Sequence, residues 1–111
     1  WPLAGRQFGG VVVTNYLWRP LLPTIVASVA PGGVLVYETF AQGNETVGRP
    51  ARPEFLLAPG ELLHVCKELR VVGYEDGFID EPARFVQRIT AVRELPQAGG
   101  PSRHLLPIGA S

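Results

Sequence analysis

Polar and aromatic side chains stand directly after two apolar runs of this chain. The run VVVT is followed by Asn15, Tyr16 and Leu17, and the run VLVY is followed by Glu38. An amide donates and accepts hydrogen bonds, a carboxylate accepts them, and an aromatic ring offers a flat apolar surface. If both runs are parallel strands, these groups meet at the sheet edge where open α/β proteins bind ligands. The set suits a polar organic ligand with a flat ring. The alternative is that Asn15 caps a turn and Glu38 is only solvated.

The loop 41–60 supplies further candidates. It is rich in Gly and Pro and holds Asn44, Arg49 and Arg52. Loops of this length in a small domain often carry function. A guanidinium from either arginine could bind a carboxylate through two parallel hydrogen bonds. When the loop is taken alone, the alternative is favoured, namely Arg-Pro pairs in a solvated loop.

Other kinds of site are not indicated. The sequence contains no GxGxxG, Walker or GxSxG motif. Its one cysteine and its two histidines, His64 and His104, do not have the spacing of zinc ligands. Cys66 falls on the apolar side of a predicted helix, so we expect it in the core. No metal is predicted.

Composition limits the function further. The 111 residues have room for one small domain, and ten basic residues balance ten acidic ones. A chain without basic excess is a poor ligand for nucleic acid or an anionic membrane surface. No apolar run approaches the ~20 residues of a membrane span. A single cysteine fits a reducing compartment, so the expected location is the cytoplasm. The chain lacks Met and begins with Trp1, which suggests an internal position of a longer protein.

The apolar pattern predicts an α/β fold. Residues 8–15 and 34–40 have the continuous apolar character of parallel strands, and 84–94 alternates like a half-buried antiparallel strand. The remaining predicted elements are a helix over 21–30, a helix over 61–70 and a strand over 70–79. The order is therefore β-α-β-loop-α-β-β, with right-handed crossovers between the parallel strands.

Four segments, read in order, resemble a known family. They are NYLWRPL, PGGVLVYETFAQGNE, GRPARPEFLLAPGELL and YEDGF…QRITAVRE. Together they resemble the C-terminal half of a class I S-adenosylmethionine-dependent methyltransferase, of the small bacterial group related to tellurite-resistance methyltransferases. The resemblance covers residues 1–94, and we expect 95–111 to be a flexible tail.

The resemblance implies a partial Rossmann-like sheet whose last strand is antiparallel, and it implies roles for individual residues. The segment after the first strand would lie near the methyl donor and acceptor. Asn15 and Tyr16 would then stand near the reacting methyl group, and Asn15 and Leu17 near the cofactor. The loop after the second strand would shape the pocket for a small-molecule acceptor, which implicates Glu38, Asn44 and Arg49.

The chain also departs from the family. The glycine-rich turn and the acidic residue that hold S-adenosylmethionine would precede Trp1, and Gly9 stands where an Asp is expected. We therefore expect no tight cofactor binding and no activity from this chain alone. Val11–Val13 would form an exposed edge, and one sheet face would lack helices. This predicts a homodimer or association with the N-terminal half. The alternative function is a non-catalytic α/β module that binds a partner through its sheet edge.

Overall fold

Four strands form one mixed sheet in the computed structural model, which describes residues 5–95 and 103–106. The sheet order is β1-β2-β4-β3. The first two strands are parallel, whereas β4 runs antiparallel to both of its neighbours. This confirms the predicted α/β class and the antiparallel last strand. The strands are β1 (Phe8–Thr14), β2 (Val29–Phe40), β3 (Arg70–Ile79) and β4 (Arg84–Val92).

Both helices are shorter than predicted. The first, α1, spans Leu22–Ala27, and the second, α2, spans Glu61–Val65. The prediction of a helix over 21–30 is wrong at its end because distant groups terminate α1. The guanidinium of Arg93 donates to the carbonyl oxygens of Val26 (2.9 Å) and Val29 (2.8 Å), where β2 begins. These bonds satisfy carbonyls that a longer helix would have used. The prediction of a helix over 61–70 is likewise wrong beyond Val65.

Tight packing explains the glycine at the start of the second apolar run. Gly33 is buried, and a Cβ there would lie 2.8 Å from the carbonyl oxygen of Ala30 and 3.0 Å from those of Phe8 and Gly9. Residue 33 thus lies where β2 passes closest to the strand beside it. Only glycine leaves the required space.

One face of the sheet carries the core. Leu35 and Tyr37 of β2 and Ala91 of β4 are completely buried on this face, under α1 and α2. The predicted burial of three residues in and after α2 is confirmed, although only the first of them lies within the helix. They are Leu62, Cys66 and Leu69.

The opposite face, here called the open face, carries no helix within the described residues. Val12 of β1 is 71 % exposed there, and Val36 beside it is 37 % exposed. The predicted edge position of β1 agrees with the sheet order, but exposure is limited to alternate side chains, since Val11 and Val13 face the core.

Two further features concern the chain as a whole. Most of the tail predicted over 95–111 lies outside the described residues. Among the residues that are described, no helix is long and apolar enough to cross a membrane.

Candidate functional site

A cavity of about 320 Å³ opens where β1 and β2 end, at their carboxyl edge. This is the position at which parallel sheets bind ligands. The cavity is called the strand-end pocket below. Its walls come from the segment after β1, from the end of β2 and from the long loop. They consist of Asn15, Tyr16, Leu17, Thr39, Phe40, Pro50 and Phe55.

The segment after β1 is held by backbone and side-chain hydrogen bonds. Asn15 adopts a left-handed conformation (φ 54°), which Asn tolerates better than most residues, and the chain leaves the sheet there. Its N–H donates to the carbonyl of Glu38 (2.9 Å). The hydroxyl of Tyr37 donates to the carbonyl of Tyr16 (2.6 Å), and burial raises the pKa of Tyr37 to about 12. Tyr37 therefore remains a neutral donor, and the ring of Tyr16 stays half-exposed at the pocket.

Asn44 fastens the first part of the long loop from inside. Its side chain is 1 % exposed, and its amide donates to the carbonyl of Pro50 (3.0 Å) while its carbonyl accepts from the N–H of Phe85 (3.0 Å). Asn44 thus joins the loop to β4 and supports Pro50 in the pocket wall. The predicted role of Asn44 toward an acceptor stays a prediction.

Gln87 fastens the second part of the loop. It is fully buried on the core face of β4, and it donates to the carbonyl of Ala58 (2.6 Å). It also accepts from the N–H of Leu62 (3.3 Å) and from the hydroxyl of Tyr74 (3.0 Å). No motif marks this residue in the sequence. Its signal is a polar side chain on the apolar side of an alternating strand.

The third group of contacts that holds the long loop is formed by Arg19 and Glu61. The guanidinium Nε lies 2.7 Å from Oε2 of Glu61, and Nη2 donates to Oε1 (2.9 Å). The hydrogen bond from Arg19 is the main cause that lowers the pKa of Glu61 below its usual value of 4.5. The same guanidinium donates to the carbonyls of Glu54 (3.1 Å) and Leu56 (2.9 Å). The segment after β1 is thereby tied to the loop at Phe55.

Besides Asn44, two predicted residues, Glu38 and Arg49, do not line the strand-end pocket. The carboxylate of Glu38 lies 2.7 Å from Nε of Arg88, which is also 3.3 Å from Glu75 through Nη1, so these three charges form a row across the open face. Arg49 is exposed and precedes Pro50, which does line the pocket. The proposed acceptor roles of Glu38 and Arg49 remain predictions.

A larger groove of about 600 Å³ separates α1 from α2, away from the strand ends. Its apolar floor includes Leu22 and Val26, and charged residues of both signs surround it. Because Arg19 and Arg93 on its walls already donate to protein oxygens, the strand-end pocket is the better candidate.

The strand-end pocket offers flat apolar surfaces with few polar groups. Three of the lining residues, Tyr16, Phe40 and Phe55, are aromatic, and two others, Asn15 and Thr39, are polar. Within the described part of the chain, no group of three or more His, Cys, Asp or Glu could hold a metal ion. The arrangement fits a planar organic molecule held mainly by contact with the rings.

Comparison with solved structures shows that the fold is similar to part of the class I S-adenosylmethionine-dependent methyltransferase fold. No protein-family model and no curated protein matches the chain. TehB from Haemophilus influenzae is similar over 80 % of this chain and 36 % of its own, with a TM-score of 0.60 and 19 % identity.

A second similar structure is a variant of the 16S rRNA (adenine(1408)-N(1))-methyltransferase from Catenulisporales acidiphilia, solved with the cosubstrate S-adenosylmethionine. It matches 80 % of this chain and 51 % of its own, with a TM-score of 0.50 and 15 % identity. The chain therefore spans about a third to a half of the length of these two structures.

Proposed function

We propose that this chain forms the acceptor side of an S-adenosylmethionine-dependent methyltransferase site. The observation that carries the proposal is the strand-end pocket, which lies at the ligand-binding edge of a methyltransferase fold. The pocket contains the three residues for which the family resemblance implied a place near donor and acceptor, Asn15, Tyr16 and Leu17. The proposed acceptor is a small molecule with a planar ring, because rings dominate the pocket walls.

S-adenosylmethionine, when bound, would supply a methyl group from its sulfonium centre to an acceptor atom, and the electron pair of the broken carbon–sulfur bond would remain on sulfur. The residues of this chain contribute by positioning and by excluding water. Asn15 and Leu17 would contact the cofactor side, whereas Tyr16, Phe40 and Phe55 would hold the acceptor ring.

Titration with S-adenosylmethionine, followed by NMR of the backbone amides, tests the proposal. We expect shifts confined to 15–17 and the end of β2, with an affinity weaker than micromolar because only one side of the site is present among the described residues. Asn15→Gly should abolish these shifts, because it removes the side chain proposed to contact the cofactor and still allows the positive φ of residue 15. Leu63→Ala on α2 is the control, since Leu63 is exposed and does not line the strand-end pocket. Micromolar binding by calorimetry would overturn the expectation of a weak half-site, and shifts elsewhere would overturn the proposed location.

A second candidate function rests on the edge of the sheet. We propose that β1 and the open face are covered by a second protein surface, either another copy of this chain or an N-terminal methyltransferase half. The support is the 71 % exposure of Val12 on an edge strand, since such strands pair readily with other chains. If pairing is the whole function, the module is non-catalytic.

Light scattering after gel filtration tests this association. We expect the chain to elute as a dimer and Val12→Glu to elute as a monomer. Val47→Glu is the matched control, because Val47 is 40 % exposed on a loop rather than on the sheet. A stable monomer that stays monomeric at high concentration would contradict the homodimer.

A further inference from the structure

The two walls of the strand-end pocket are far apart in sequence. One wall is the segment 15–17, and the other includes Phe55 of the long loop. Phe55 is 43 % exposed, whereas Leu56 and Leu57 after it are buried. Groups that bridge the two walls help to set the distance between them.

Arg19 provides such a bridge. It lies two residues after the first wall, and its guanidinium donates to the carbonyls of Glu54 and Leu56, the residues on either side of Phe55. Two hydrogen bonds to carbonyls that flank one residue restrict the backbone on both sides of it. Phe55 is therefore held at a fixed distance from the segment that carries Tyr16.

Glu61 orients this guanidinium. It accepts from Nε and Nη2 in the bidentate geometry that a planar guanidinium favours, and its Oε1 also accepts from the N–H of Ala58 (2.9 Å). The carboxylate is 17 % exposed, and the hydrogen bond from Arg19 lowers its pKa below the usual value. A lysine could not replace Arg19, because one ammonium cannot match two carbonyls and two carboxylate oxygens at once.

We infer that Arg19, oriented by Glu61, is a positioning residue that fixes Phe55 and so sets the width of the strand-end pocket. The link to acceptor selection rests on the proposed function, whereas the link to Phe55 rests on the geometry alone. Widening the pocket would weaken the contacts of a planar ring with Tyr16 and Phe55.

Fluorine NMR of the chain labelled with fluorophenylalanine tests this inference. The Phe55 signal is assigned by its loss in Phe55→Leu. In Arg19→Lys we expect this signal to shift and broaden, and the amides of Phe55 and Leu56 to exchange at least about tenfold faster, as loss of a charge-assisted hydrogen bond predicts. Arg70→Lys is the matched control. Arg70 pairs with Glu94 at the other end of the sheet (3.6 Å) and has a side chain 44 % exposed, against 39 % for Arg19.

An unchanged Phe55 signal and unchanged exchange in Arg19→Lys would overturn the inference, whatever the change in global stability. If Arg19→Lys does not fold, Glu61→Gln is judged by the same two measurements. The same shift in Arg70→Lys would also overturn it, because the effect would then be global.

Indole, a planar probe, separates this inference from the proposed function. We expect indole to move the Phe55 and Phe40 signals of the unmodified chain, and to bind Arg19→Lys severalfold more weakly. Failure of indole to bind the unmodified chain would overturn the planar-ring pocket. The effect of Arg19→Lys on Phe55 would still decide the positioning role.

Discussion

The two faces of the sheet are built from the same strands but meet different surroundings. Leu35 and Gln87 lie on the face beneath the helices and are fully buried, whereas Val36 and Arg88, their neighbours in sequence, lie on the open face. The covered face holds the core and fastens the loop that shapes the strand-end pocket. The open face carries valines and a row of charges. The difference teaches that the core and the buried contacts that hold the loop lie on one face, whereas the described residues of the other face are more exposed.

The largest expected effect comes from a matched pair in β2. Leu35→Ala should lower the free energy of unfolding by about 2–5 kcal/mol, because it leaves a cavity in the core. Val36→Ala should cost less than about 1 kcal/mol, the range of strand propensity on an exposed surface. Urea denaturation of both variants measures this. Equal losses would show that the open face is packed as tightly as the core.

The second-largest difference in stability is expected between glycine variants on the two faces of the sheet. Gly33→Ala should cost about 1–3 kcal/mol, since its Cβ would meet three backbone oxygens that cannot move independently. Gly77→Ala in β3 should change stability by about 0.5 kcal/mol or less, because nothing lies within 4 Å of that Cβ. Thermal unfolding of both variants measures this difference in stability. A neutral Gly33→Ala would refute the close approach of β2 to its neighbour.

The third comparison is between two polar residues of β4, one on each face of the sheet. Gln87→Met should cost about 1–3 kcal/mol, because it leaves the carbonyl of Ala58 and the N–H of Leu62 without their buried partner. Arg88→Met should cost below about 1 kcal/mol, as is usual for an exposed ion pair. Denaturant unfolding and hydrogen exchange at 58–62 would measure both. Faster exchange there in Arg88→Met would contradict the separation of the faces.

The smallest expected effect is on the stability of the fold at low pH. Because its folded pKa lies below 4.5, Glu61 contributes stability that is fully present above the unfolded value and is lost as pH falls through the folded value. Glu61→Gln should therefore lose less stability between neutral pH and pH ~3 than the unmodified chain does. Arg19→Met should remove the same acid-dependent part, and the double variant should show no further change. Parallel pH curves for all chains would exclude a role for this pair in acid sensitivity.

The strands and the core side chains could be predicted from sequence because their signals are local. The alternation of β4 and the spacing of Leu62, Cys66 and Leu69 follow from the geometry of a strand and a helix. The helix ends could not be predicted in this way. Arg93 terminates α1 from 67 residues away, and no local pattern records that contact.

Some residues of the candidate site could be predicted from the sequence, and others could not. Asn15 and Tyr16 could be predicted because the carboxyl end of a parallel strand is a known binding position, whereas Leu17 was implied only by the family resemblance. Phe55 and Pro50 could not be predicted, since their places depend on the loop path. That path is set by two hydrogen bonds between distant residues. One joins Asn44 to Phe85, 41 residues later, and the other joins Arg19 to Glu61, 42 residues later.

The interior place of β4 has a consequence for folding during synthesis. Of the described strands it is made last, yet it lies between β2 and β3, so this sheet cannot close before residue 92 has left the ribosome. Until then β2 has a free edge, and β3 lacks its partner strand β4. Sheets completed by distant pairings form slowly, and their open edges favour aggregation. The growing chain therefore needs the longest protection at the stage just before β4 is released.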